Sequence, residues 1–237
     1  MFISCDAKQL EWRTVVELSG DQTALTEILQ GQDTHELNRQ AFELPSRLIA
    51  KIYLFRTIFR GNGWSFANDP DFSHVSSDPK FWDAINEKFY KKYDGINKLH
   101  NEWRDLCALG NPICGPLGRQ WSVPFLNKHN EINWTQFTNL PVQGTGADVM
   151  VIARVSLFKR LQKLDWPVKL VQTVHDSIVA DTPFEYVQPM CNLYHQVFTD
   201  LIPNIKKVFG YDWKVPLECE CYYGQNQAEH IAVTPTA

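Results

Sequence analysis

The run "KLVQTVHDSIVAD", residues 169 to 181, decides the fold. Leu170, Val171, Val174, Ile178 and Val179, with Thr173 and the preceding Val168, are β-formers, so the run reads as two short buried strands meeting at His175 and Asp176. A buried carboxylate there must be paired, protonated or bound to a cation. Asp and Ser at 176 and 177 also suit an ordinary β-turn. A second acidic residue placed the same way bears on the choice.

Asp6 is such a residue. Phe2, Ile3, Ser4 and Cys5 read as a strand that ends at Asp6, and a helical pattern follows through Leu10, Val15, Val16 and Leu18 to a stop at Ser19 and Gly20. Antiparallel neighbours would bring Asp6 and Asp176 to one end of a sheet. Two carboxylates that close repel unless cations sit between them, and a pair of Mg²⁺ ions shared with substrate phosphates resolves the repulsion. The chemistry this favours is phosphoryl or nucleotidyl transfer.

A cationic island supplies a complementary feature. From Pro45 to Asn68 there is no acidic residue, while Arg47, Lys51, Arg56 and Arg60 are basic. Ser46 suits an N-cap and Gly61-Asn62-Gly63 a stop, so a helix is expected over residues 47 to about 59. Arg47, Lys51, Phe55 and Phe59 are spaced by four and lie on one slowly drifting face. The basic end comes first, where free helical N–H groups already favour anions, and the aromatic end follows, as a nucleoside triphosphate would need. An amphipathic helix with Phe in the core and its cations in solvent has the same pattern.

The chain has 237 residues, 44% of them hydrophobic, which suffices for one large domain or a domain carrying an inserted subdomain. No apolar run approaches the roughly 20 residues of a membrane span, and "MFISCDAKQL" lacks the marks of a signal peptide. A soluble, cytoplasmic protein is expected, in the host-cell cytoplasm if it is viral. The six cysteines form no C-x-x-C pair; only Cys219 and Cys221 are close in sequence, too few for a zinc site without histidine help, so reduced thiols are expected. A net charge of −4 argues against coating nucleic acid by charge alone.

Further helices are expected over residues 22 to 30, 34 to 42, 81 to 103 with a bend at Asp94-Gly95, 143 to 161 with Thr145 and Asp148 as a capping box, and 184 to 209, interrupted or ended near Pro203. Residues 62 to 79 read as a polar connection, "GNPICGPLGRQWSVPF" as a hairpin, "WKVPLECECYY" as a last strand, and the tail from Gln225 as loosely held.

Three of these stretches, "DAKQLEWR" at 6 to 13, "RLIAKIYLFRTIFRG" at 47 to 61 and "VHDS" at 174 to 177, resemble motifs A, B and C of the family A DNA polymerases, the DNA polymerase I family, in the family's order. "GQDTHE" at 31 to 36, "YKKYDGI" at 90 to 96, "LGRQWSVP" at 117 to 124 and "NLPVQGTGADVM" at 139 to 150 resemble other blocks of the family, so the likeness spans nearly the whole chain, with wording more like bacteriophage members than bacterial repair enzymes. It implies an α+β fold: an antiparallel palm sheet flanked by helices, residues 1–32 and 127–237, with a mostly helical fingers subdomain, 33–126, inserted. It implies Asp6 and Asp176 as ligands of two Mg²⁺ ions, replaceable by Mn²⁺, with the carbonyl of Ala7 helping. It implies Glu11 as the steric gate against a ribose 2′-hydroxyl. His35, Arg47 and Lys51 would hold the triphosphate, and Lys51 would protonate the leaving pyrophosphate. Phe55 would lie beside the incoming sugar and base, and Phe59 near the template position. Asn139, Gln143 and His175 would touch the minor groove and primer end.

The chain departs from the family pattern in places. Ser177 stands where the family usually has Glu, so a third carboxylate is missing there. Phe59 replaces a common Tyr and removes a hydroxyl that would hydrogen-bond Glu11, which would loosen sugar discrimination. Arg56 and Arg60 replace small residues, often glycines, and are expected to add contacts to DNA phosphates or to the incoming triphosphate. Only five residues precede Asp6, where family members carry the thumb and usually an exonuclease-type domain. The expectation is a template-directed polymerase core lacking both, a fragment or split-gene subunit that works on primer-template DNA and dNTPs with a thumb-bearing N-terminal polypeptide. The alternatives are a DNA- or nucleotide-binding remnant inactive without that partner, and a two-metal nuclease, which would leave the face from Arg47 to Phe59 unused.

Overall fold

A computed structural model describes residues 1–122 and 133–236. The chain divides into two compact units, Met1–Leu10 with Gly144–Ala237, and Glu11–Gln143. The sequence division set its boundaries elsewhere, at 32/33 and at 126/127, and the latter lies outside the described residues. The division at Leu10/Glu11 falls at the start of helix α1 (Leu10–Ser19), and that at Gln143/Gly144 falls within helix α9 (Trp134–Leu164).

The first unit is built on a five-stranded antiparallel sheet, which with the helices makes the fold α+β. Its strands are β1 (Phe2–Ala7), β4 (Lys169–Val174), β5 (Ser177–Asp181), β6 (Cys219–Gly224) and β7 (Ile231–Val233), in the order β4-β5-β1-β6-β7. Strand β1 is central, and its Ile3, Cys5 and Ala7 are buried on one face. Helix α10 (Val187–Phe209) lies on that face: Tyr194 donates its hydroxyl to the carbonyl of Ile178 at 3.1 Å, and Met190, Cys191, Val197, Phe198, Leu201 and Ile205 are buried with it. This helix continues through Pro203 and ends at Gly210, whose φ of 70° supplies the left-handed cap.

Three further expectations change. Strand β4 is exposed, with Val171 and Val174 both open to solvent, because it is an edge strand with one partner; its apolar run only resembles a buried strand. Helix α9 begins at Trp134, not near Gln143. Asn133 caps it by accepting from the N–H of Gln136, Pro141 lies inside it, and Thr145 is buried mid-helix. Pro141 and Gly144 argue locally against helix, and burial of Phe137, Val142 and Val149 overrides them. The tail is not loose, since β7 pairs with β6 from Cys221–Val233 to Tyr223–Ile231.

The second unit is mostly helical: α2 (Gln22–Leu29), α3 (Thr34–Ala41), α4 (Arg47–Thr57), α5 (Gly63–Ala67), α6 (Pro70–Ser73), α7 (Pro79–Lys92) and α8 (Asp94–Ala108), with a small hairpin of β2 (Ile113–Cys114) and β3 (Gln120–Trp121). The expected polar connection over 62 to 79 holds the short helices α5 and α6, whose caps at Asn62 and Asp69 are the polar residues that made it read as a loop. The expected bend at 94–95 is a break between α7 and α8 at Tyr93.

An aromatic cluster holds α4 in place. The Tyr53 ring lies 5.2 to 6.3 Å from the rings of Phe42, Phe66, Trp82 and Phe89, and its hydroxyl donates to Asn86 at 2.8 Å. Such edge and offset pairs add about 0.5–1.5 kcal/mol each beyond area burial, so Tyr53→Ala should cost about 3–5 kcal/mol.

Candidate active site

Strand pairing brings the two predicted aspartates together. β1 runs antiparallel to β5 with Asp6 opposite Ser177, one residue from Asp176, and Ala7 donates its backbone N–H to the carbonyl of Asp176 at 2.9 Å. His175 and Asp176 form the two-residue connection of the β4-β5 hairpin. His175 has φ 51°, the positive value that tight hairpins need at the first central position. His175 and Asp176 are therefore exposed, and Asp6 is half-buried.

On its other side Asp6 lies opposite Glu220 of β6. Directly paired residues share a face, so Ser177, Asp6 and Glu220 form one row on the sheet face opposite Cys5. Glu220 accepts from the Tyr222 hydroxyl at 3.0 Å. Sequence reasoning missed Glu220, although the alternation Cys219-Glu220-Cys221 marks it as the outward residue of a half-buried strand.

In the helical unit, α3 and α4 gather the predicted anion-binding residues. Ser46 caps α4 through the N–H of Ile49, as expected, but the helix ends at Thr57. Phe59 follows in a tightened turn, its N–H bonded to the carbonyl of Arg56 at 3.2 Å, and Arg60 has φ 63°. Arg47 and Lys51 are exposed on α4, while His35 is buried on α3 with its ring 6.1 Å from that of Phe55. Burial pushes the His35 imidazolium down to about 4, and the charges of Arg47 and Lys51 add to the fall against the opposing pull of Asp33. His35 is therefore neutral near pH 7.

Asp33 does two jobs. Its carboxylate caps α3 by accepting from the N–H groups of His35 and Glu36, and it holds the Arg47 guanidinium through Nε at 2.7 Å and Nη2 at 3.2 Å. The Arg47 bond, more than the backbone bonds, keeps the Asp33 carboxyl below its ordinary range.

The remaining predicted residues are engaged as follows. Glu11, in the first turn of α1, accepts a short hydrogen bond from the side-chain amide of Gln143. Arg56 is ion-paired with Asp69 and lies 3.8 Å from Asp71. Arg60 lies 4.9 Å from the ring centres of both Tyr90 and Trp134. Asn139 lies in the first half of α9.

The profile of DNA polymerase family A matches residues 1–229. The thermostable DNA polymerase I of Thermus aquaticus is 23% identical over 238 residues, covering 95% of this chain and 27% of that protein. DNA polymerase I of Aquifex aeolicus is 27% identical over 191 residues, covering 76% of this chain and 32% of that protein. Among solved structures, the POL domain of Pol1 from M. smegmatis, in complex with DNA primer-template and dNTP, superposes with a TM-score of 0.80 at 18% identity, over 95% of this chain and 39% of that one. The chain thus spans about a quarter to a third of the length of these curated relatives. With a match that runs from the strand carrying Asp6 to beyond the strand carrying Glu220, the chain belongs to DNA polymerase family A.

Proposed function

We propose that the chain is the catalytic core of a template-directed DNA polymerase, which adds deoxynucleotides to a primer 3′ end. The observation that carries this reading is the placement of Asp6 and Asp176 at the same end of adjacent strands. The donor set fits magnesium: carboxylates in the open, with Glu220 in the same row as Asp6 and no sulfur or imidazole in that row, are the hard oxygen ligands this ion takes. Asp6 and Asp176, helped by the carbonyl of Ala7, would hold two Mg²⁺ ions, which when bound supply charge neutralisation at the reacting phosphate and activation of the primer 3′ oxygen.

The chain's own residues do the rest. Arg47 and Lys51 offer the triphosphate two exposed cations on one helical face, and the buried His35, neutral near pH 7, offers a hydrogen bond without a buried charge. Lys51 supplies the proton that the departing pyrophosphate takes up. The Glu11 carboxylate, held by Gln143, occupies the space a 2′-hydroxyl would need. Phe55 and Phe59 flank the incoming base and template position, and Asn139, Gln143 and His175 contact the primer end. The M. smegmatis Pol1 domain is known with primer-template and dNTP, which supports both as partners here.

Primer extension with purified chain, alone and with a thumb-bearing polypeptide supplied separately, tests the reading. Extension by the wild type that Asp6→Asn and Asp176→Asn abolish would sustain it; no extension in either setting leaves a nucleotide- or DNA-binding role.

A further inference from the structure

The sheet face opposite Asp6 gathers ligands from both ends of the chain. Cys5 of β1 stands directly across from Cys221 of β6, and Cys219 stands across from Ala7, so all three thiols project from one face. Their sulfurs lie within 4.8 Å of one another, and all three residues are buried. Cys191 and His195, one helical turn apart on α10, bring a sulfur and a ring nitrogen within the same distance of Cys221. Four of the chain's six cysteines thus meet at one place, from three elements. The histidine help that the Cys219-Cys221 pair lacks in sequence is present in space.

We propose that Cys5, Cys219, Cys221 and His195 form a binding site for a single thiophilic ion of the Zn²⁺ type. Tetrahedral zinc with bonds to sulfur of about 2.3 Å holds its sulfurs about 3.8 Å apart, and this trio already lies within 4.8 Å of one another. His195 is assigned as the fourth ligand because its ring nitrogen lies within 4.8 Å of the Cys221 sulfur and it lines, with Cys219, a 360 Å³ cavity. Cys191, though its sulfur also lies within 4.8 Å of that of Cys221, is engaged elsewhere: its thiol donates to the carbonyl of Val233 at 3.5 Å. The buried, sulfur-rich donor set selects against Mg²⁺, which the oxygen ligands across the sheet would take. A bound ion would tie β1 to β6 and α10 directly behind Asp6, making the cysteines positioning residues for that carboxylate.

The test is metal content and cobalt spectroscopy of the full chain purified under reducing conditions. One zinc per chain should survive desalting, and after chelation Co²⁺ should give intense tetrahedral ligand-field bands with thiolate-to-cobalt charge transfer. Cys221→Ser should weaken Zn²⁺ binding by at least about 100-fold and His195→Gln by about 10-fold or more, while Cys191→Ser stays within about twofold of wild type. Asp6→Asn should keep the cobalt spectrum unchanged. Substoichiometric zinc with an octahedral cobalt spectrum, a Cys5–Cys221 disulfide in the purified chain, or loss of the spectrum in Asp6→Asn would each overturn the proposal. Should Cys221→Ser fail to fold, the wild-type spectrum decides alone.

Discussion

Ala7 donates its backbone N–H to the carbonyl of Asp176, fixing the residue after one predicted catalytic aspartate to the other aspartate itself. Neither side chain is fully buried, so neutralising either one should leave the fold within about 1 kcal/mol of wild type while removing a charge the reaction needs. Asp6→Asn and Asp176→Asn are each expected to lower primer extension by at least about 10³-fold, the scale of losing several kcal/mol of charge stabilisation. Glu220→Gln should act more mildly, raising the Mg²⁺ concentration needed for half-maximal extension. Single-turnover extension across a Mg²⁺ titration checks all three, and a near wild-type rate in either aspartate variant would end the assignment.

Asp33 competes with any phosphate for Arg47. Asp33→Asn keeps a side-chain acceptor for the α3 cap but removes the charge that holds the guanidinium, so triphosphate affinity is expected to rise several-fold. Stability should move by no more than about 1 kcal/mol, since both partners are partly exposed. Fluorescence titration with a labelled dNTP reads the affinity; unchanged binding would mean that the ion pair does not occupy the phosphate position.

Glu11 and Gln143 should be separable in sugar selection. If Glu11 is the proposed gate, Glu11→Ala should raise ribonucleotide use relative to deoxynucleotide use by about tenfold or more, on the scale of a lost steric clash of about 1–3 kcal/mol. Gln143→Ala removes the hydrogen bond to the Glu11 carboxylate but leaves the carboxylate in place, and should have a smaller effect on selectivity in the same direction. Equal selectivity in Glu11→Ala and wild type would remove the gate from this residue.

Two buried histidines predict an acid-sensitive fold. His35 is held down to about 4 and His100 to about 3, each chiefly by burial, with Arg47 adding to the first and Arg60 to the second. With folded values below the ordinary value of 6.5, the unfolded chain binds more protons between those limits. Stability is therefore full above about pH 6.5 and falls as pH drops towards 4, by a few kcal/mol in all. Urea midpoints measured from about pH 7 down to 4 should show this fall, and His100→Leu should flatten it. A pH-independent midpoint would mean that both of these rings reach water.

The sequence discloses some of these features and hides others for physical reasons. Asp6 and Asp176 are legible because each breaks a β-forming run at its end. Helix α4 is legible because Ser46 and the four-residue spacing are local signals. The start of α9 is hidden because Pro141 and Gly144 carry a local penalty that buried neighbours outweigh. Strand β7 and the thiol cluster are hidden because their partners are distant in sequence: nothing near Cys5 announces that Cys221 will stand opposite it. The ion pairs Arg47–Asp33 and Arg56–Asp69 are likewise invisible until α3 and α6 are placed beside α4.

Those pairs sharpen the expectation for DNA binding. Duplex DNA is held largely by neutralising phosphates, and log K falls with log[salt] at about −0.9 per phosphate contact. The cationic island counts four basic residues, but Arg47 is held by Asp33, Arg56 by Asp69, and the Arg60 guanidinium rests between the rings of Tyr90 and Trp134. Each would have to give up a partner to reach a phosphate, and the chain carries a net charge of −4. The isolated chain is therefore expected to bind primer-template weakly and release it after each addition, with a shallow salt slope of roughly −2.7 to −3.6 that corresponds to three or four contacts. Replacing Asp69 and Asp71 by Asn should free Arg56 and steepen the slope by about one contact. A salt titration of primer-template binding by anisotropy, with and without a thumb-bearing polypeptide, measures both quantities. Tight binding that persists near physiological ionic strength with no partner added would mean that the duplex is held by a surface outside this island.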